Sequence, residues 1–169
     1  AESRGLRDVY KRQTKPLDTV IQNVKGTVNL LEAARQANIK RFVYASTIYV
    51  YSTKGGFYRC SKQAAELYVE EYQRKFGLDF TILRYGTVYG PRADMRNSVY
   101  RYLWQALTQG KIVRDATGEE FREYIHVRDA AKLSVDILSE EHKNKHIIIT
   151  GHHPIKFKEM LYTIKEILG

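Results

Sequence analysis

Apolar and small residues recur at three- and four-residue spacing through Val20, Val24, Thr27, Leu31 and Ala34. This predicts a helix over Asp18 to Ala37 with one buried face. Arg41 to Thr47 is short, apolar and β-prone, and predicts a strand. Tyr58 to Phe76 returns to helical spacing, with Gly77 as its C-terminal stop. Phe80 to Arg84 predicts a second strand, and Ser98 to Gln109 a helix that also ends on a glycine. Short strands are expected over Ile112 to Asp115 and Glu123 to His126. A helix over Val127 to Leu138, a strand over His146 to Thr150 and a helix over Phe157 to Leu168 complete the pattern. Strands separated by helices of this length imply βαβ units and a mostly parallel sheet. The unbroken apolar run Ile147 to Ile149 suits a strand covered on both faces.

The first thirteen residues stand apart, because Ala1 to Gln13 shows no apolar periodicity. Asp8 to Gln13 back-translates to a stretch resembling a transposon adapter used in sequencing libraries. Residues 1–13 are therefore expected to be a non-native or disordered leader, outside the fold.

Composition narrows the classes. The chain has 169 residues with 43% hydrophobic content, enough for one packed domain. No run of about 18 apolar residues exists, so no membrane-spanning helix is expected. One cysteine, Cys60, excludes an internal disulfide and fits a reducing, cytoplasmic setting. The net charge of +9 admits nucleic acid or a phosphate-bearing substrate. The basic residues are scattered and interleaved with acids such as Glu119, Glu120, Glu140 and Glu141, which argues against nucleic acid. His152 and His153 are adjacent, but no third ligand is spaced to complete a metal site.

Tyr58 and Lys62 lie four residues apart at a helix start, so they share one face. An isolated tyrosine, with a pKa near 10, is a poor proton shuttle at neutral pH. A neighbouring ammonium favours the phenolate, and such a tyrosine can exchange a proton with a substrate hydroxyl. Thr47 ends the preceding strand, where open α/β sheets place their sites.

With that context, the residues resemble the extended short-chain dehydrogenases/reductases, in particular the NAD-dependent epimerase/dehydratase group acting on nucleotide sugars. Asn23 to Ala34 is similar to that group's helix beside the nicotinamide. Phe42 to Thr47 is similar to its strand with the catalytic Ser/Thr. Tyr58-Arg-Cys-Ser-Lys62 matches its Y-x-x-S-K, Leu83 to Arg92 its cofactor- and substrate-touching segment, and Thr117 to Asp129 its arginine–aspartate box. The resemblance implies an α/β fold: a partial Rossmann-like doubly wound parallel sheet over residues 14–90, and a small C-terminal substrate-binding lobe with a returning strand and helix over 91–169. It implies Thr47, Tyr58 and Lys62 as catalytic residues. Gln22, Tyr58, Lys62, Tyr85 and Gly86 would be cofactor-binding, with Asn23 an alternative to Gln22. Thr47, Thr87 and Arg122 would bind substrate, Arg122 through the nucleotide diphosphate. The implied cofactor is NAD, with NADP as alternative. The implied partner is a nucleotide sugar, and a homodimer is compatible.

The pattern departs from the family in two places. The glycine turn G-x-x-G-x-x-G that cradles a pyrophosphate is absent, as expected of a chain lacking the start of the cofactor domain, so the polypeptide alone should not turn over substrate. Ile48-Tyr49 stands where dehydratases carry Asp-Glu. That favours epimerisation or simple alcohol/carbonyl redox over elimination.

Overall fold

The computed structural model describes residues 15–114 and 117–169. The expected leader lies outside the described residues. A short helix α1 (Pro16–Thr19) runs through a π-helical turn (Val20–Lys25) into α2 (Gly26–Gln36). Strand β1 (Phe42–Thr47) leads through a 3₁₀ turn (Ile48–Tyr51) to α3 (Gly56–Phe76). Next come β2 (Phe80–Tyr85), β3 (Thr87–Tyr89), α4 (Ser98–Gln109), β4 (Phe121–Arg122) and β5 (Tyr124–His126). Helix α5 (Val127–Asp136), a 3₁₀ turn (Glu140–His142), β6 (Lys145–Ile149), β7 (Ile155–Lys156) and α6 (Phe157–Leu168) complete the order.

Strands β1, β2 and β6 form a parallel sheet in that order. Thr47 stands opposite Tyr85, and Tyr85 opposite Ile149, so the carboxyl ends of the three strands are level. Beyond that edge, β3 pairs in parallel with β5 and β4 pairs antiparallel with β7. This is the expected α/β architecture with a parallel sheet.

One face of the sheet packs on α2 and α3 through Leu31, Tyr44, Val69 and Ile82. The other face packs on α5 through Leu83, Ile149, Ala130 and Ile137. A third cluster, Tyr102, Phe157, Met160 and Ile164, joins α4 to α6. Arg114 adds to it, its guanidinium 3.6 Å over the Phe157 ring and paired with Glu120.

Three expectations need correction. The first helix is not regular: the π turn rotates its face, so Val20 is 50% exposed while Thr19 is buried. Ile112 to Arg114 forms no strand, because Ile112 packs against the α4–α6 cluster and Arg114 stacks on Phe157 instead of pairing; Asp115 lies outside the described residues. The strand expected over Glu123 to His126 begins at Tyr124, which stands opposite Thr87, with Thr87 N donating to Glu123 O at 2.8 Å as the first rung of the β3–β5 ladder. Among the described residues no helix is long and apolar enough to cross a membrane.

Candidate active site

The level strand ends create the site. Thr47 is buried at the end of β1, and its hydroxyl accepts from Tyr49 N at 3.3 Å, starting the 3₁₀ turn. At the end of β2, Gly86 N donates to Ile149 O at 3.0 Å. A side chain at Gly86 would stand 2.8 Å from Thr150 Cγ2 and 2.9 Å from the Glu123 carbonyl oxygen, so only glycine allows this crossing. The result is a cavity of 130 Å³ walled by Thr47, Tyr85, Gly86, Thr87, Arg122 and Glu123, with Ile48, Tyr49, Phe121 and Pro154 completing it. Five of the sequence-derived residues therefore share one wall. The volume lies well below the roughly 300 Å³ of an ordinary small-molecule pocket, so it could enclose only part of a ligand. A cavity of 640 Å³ between α4 and α6 is larger, but it is lined by apolar side chains and lysines and holds none of the candidate residues.

Tyr58 and Lys62 occupy the first turns of α3, outside that wall. Lys62 Nζ donates to Ala45 O at 2.7 Å and lies 4.8 Å from the Tyr44 ring centroid and 6.0 Å from that of Tyr58. Burial pushes the Lys62 ammonium below the usual lysine range, while the charge of Glu66 partly offsets this. Tyr44 is held the other way: burial pushes its phenol up to about 12. Of these two tyrosines beside Lys62, Tyr44 therefore stays a neutral phenol.

Other candidates fall into supporting places. The Tyr85 hydroxyl is 2.6 Å from Ser134 Oγ, which turns the ring toward α5 and leaves its backbone at the cavity. Gln22 is exposed in the π turn. Its neighbour Asn23 donates to Ser61 Oγ at 2.8 Å, tying that turn to α3. The π turn aims Asn23 there, and such turns recur at functional sites. Glu119 pairs with Lys156 and Lys158, and Arg122 lines the cavity. His126 caps α5 by accepting from Arg128 N at 3.3 Å. Cys60 is exposed. Among the described residues no three His, Cys, Asp or Glu side chains converge on a point. Sequence reasoning missed Glu123 and Tyr49 as cavity residues and the buried Glu66–Arg84 pair. Their signals were adjacency to Arg122 and Thr47, and an i, i+4 step from Lys62.

The family model described as "NAD dependent epimerase/dehydratase family" matches residues 4–151. The chain belongs to that family. A UDP-glucuronate 4-epimerase of Thermodesulfobacterium geofontis (strain OPF15) is 26% identical over 89% of the chain and 50% of its own length. An uncharacterized UDP-glucose epimerase of Bacillus subtilis (strain 168) is 31% identical over 82% of the chain and 47% of its own length. The chain thus spans about half the length of the curated relatives it matches. Among solved structures, a UDP-glucose 4-epimerase of Thermotoga maritima, crystallised with UDP-glucose, superposes with a TM-score of 0.84 at 27% identity, covering 95% of the chain and 58% of that protein. A dTDP-glucose 4,6-dehydratase of Streptomyces venezuelae, crystallised with NAD, gives a TM-score of 0.84 at 26% identity, covering 100% of the chain and 55% of that protein. Epimerases and dehydratases of the family thus share this fold, and the chemistry must be argued from the side chains.

Proposed function

We propose that the chain carries the proton-transfer and substrate-holding part of a nucleotide-sugar 4-epimerase. The observation that carries this reading is the level strand edge. It sets Thr47, Gly86, Thr87 and Arg122 around one cavity, with Tyr58 and Lys62 on the helix that follows Thr47. Such an edge is where open α/β sheets bind ligands.

The donor set fits the nicotinamide end of NAD. Lys62 presents a desolvated ammonium for ribose hydroxyls, and Tyr85 and Gly86 line the cavity at the strand end. NAD, when bound, supplies reversible hydride acceptance at a sugar carbon. Thr47 orients the sugar hydroxyl, and Tyr58 takes its proton and later returns one. Lys62 favours the Tyr58 phenolate by its charge. Arg122 suits a diphosphate because a guanidinium forks onto paired oxygens. Ile48 and Tyr49 stand in the wall, and Glu123 is the one carboxylate among the lining residues, which favours epimerisation over elimination. NADP is the alternative cofactor, and the reading is of a cytoplasmic protein. Leu30, Leu67 and Tyr68, exposed on α2 and α3, are read as a homodimer face.

The test joins this chain behind the first half of the Thermodesulfobacterium relative. The fusion is given NAD and UDP- or dTDP-hexoses, and the sugars are followed by proton NMR. The expected product is the C4 epimer, and Tyr58→Phe should slow its formation by about 10²–10⁴-fold. The chain alone should show no turnover, because no G-x-x-G-x-x-G cradle occurs in it. A dehydrated sugar, or a fully active Tyr58→Phe variant, would refute the assignment.

A further inference from the structure

Three segments around the candidate site, α3, β1 and β2, meet at one buried carboxylate. Glu66 lies one turn beyond Lys62 on α3 and is 5% exposed. It accepts from Arg84 Nε at 3.2 Å and Arg84 Nη2 at 2.6 Å, and from the Ser46 hydroxyl. Arg84 reaches on to the loop after Thr47. Its guanidinium lies 4.7 Å over the Tyr51 ring and donates to the Tyr51 hydroxyl. Each partner is next to a candidate residue: Ser46 precedes Thr47, Arg84 precedes Tyr85, and Glu66 follows Lys62 by one turn. Buried ion pairs contribute little net stability, since apolar replacements of equal volume often do as well. What a two-pronged Arg–carboxylate contact adds is direction, because both hydrogen bonds hold only in one relative orientation.

We propose that Glu66 is a positioning residue: through Arg84 and Ser46 its carboxylate fixes α3 against β1 and β2, and so sets the spacing between Thr47, the Tyr58–Lys62 turn and Tyr85 and the place of Lys62 beside the Tyr44 ring. The proposal rests on the active-site reading only for what the positioned groups do. The titratable groups acting on Lys62 are Tyr44 from β1 and Tyr58 and Glu66 from its own helix, while its Nζ donates to Ala45 O. The π turn faces this helix through the uncharged Asn23–Ser61 pair. The Glu66 carboxylate favours the Lys62 ammonium, so its removal moves the lysine titration downward.

The experiment follows the Lys62 side chain by NMR in the whole chain with isotope-labelled lysine, with Lys62→Arg used only to assign the signal. Neither NAD nor sugar is present, so the result stands whether or not the protein turns over substrate. Glu66→Gln should lower the Lys62 titration midpoint and move its side-chain resonance away from the ring-shifted position set by Tyr44. Because Glu66→Gln leaves Arg84 buried and unpaired, the double variant Glu66→Gln/Arg84→Met, which removes both charges, is measured in parallel and should show the same two changes. A folded variant of either kind with the Lys62 midpoint and ring shift unchanged overturns the proposal. So does a double variant that fails to fold, since the pair would then be needed for stability itself.

Discussion

Gly151 follows β6 and passes directly beneath Tyr124 of β5. A Cβ placed there would stand 2.2 Å from the Tyr124 carbonyl oxygen, whereas ordinary contact begins at 3.4 Å. The obstacle is backbone, with no flexible side-chain end to swing aside. Gly151→Ala therefore forces one of two packed segments back by about an ångström, and overpacking of this kind costs about 1–3 kcal/mol. For a chain of this size that corresponds to a melting point lower by about 2–12 °C. The control is Gly26→Ala at the start of α2, where a Cβ meets only Ile21 O at 3.8 Å. There the substitution should stabilise by about 0.5–1 kcal/mol, because alanine is the better helix former. Thermal melts and urea titrations of both variants, followed by circular dichroism, give the two signs. Should Gly151→Ala melt with the wild type while Gly26→Ala behaves as stated, the close crossing of these backbones would be wrong. The strain also has a direction. It pushes on the Arg122–Tyr124 segment, so any ligand held by the cavity should weaken along with stability.

Ile82 is fully buried in the central strand β2, and Ile82→Ala should cost about 2–5 kcal/mol in urea unfolding with an unchanged slope. Glu119, paired with Lys158 and Lys156, has its carboxyl held down at about 2. A carboxyl lowered on folding stabilises above its unfolded value of 4.5, and the contribution is lost as pH falls from there toward 2. Wild type should therefore lose stability across that window more steeply than Glu119→Gln, and parallel pH profiles would count against the pairing. Lys62→Met should raise the melting point by removing a desolvated ammonium while abolishing turnover in the fused protein, the usual tension between activity and stability. An unchanged or lower melting point would mean that the Ala45 hydrogen bond outweighs the desolvation.

The long helices were legible in the sequence because their periodicity and stops are local. Ser98–Gln109 and Phe157–Leu168 match residue for residue, and Gly77 closes α3 in the left-handed conformation at φ 71°. The strands β3, β4 and β7 were not legible. Two- and three-residue pairings have no periodicity, and they exist only because the chain crosses itself at Gly86 and Gly151. In the same way, Thr47, Thr87 and Arg122 could be chosen as candidates from motifs. Glu123 and Tyr49 joined them through the crossing of β3 with β5 and the turn after Thr47. Motif resemblance put Tyr58 and Lys62 in one unit with Thr47. Geometry sets them on the helix side of the strand end, with Lys62 turned to Ala45.

The π turn at Val20–Lys25 has a further consequence. A π turn amounts to one residue inserted into an α-helix. Deleting a single residue there would restore ordinary winding and leave the upstream turn facing much as it does now, because a π turn spreads one turn over about one more residue than an α turn does. The side chains of the turn itself would change places, so Asn23 would leave Ser61 and a neighbour would face α3 instead. A one-codon indel in this helix could thus exchange the residues behind α3 in a single evolutionary step, with the sheet left intact.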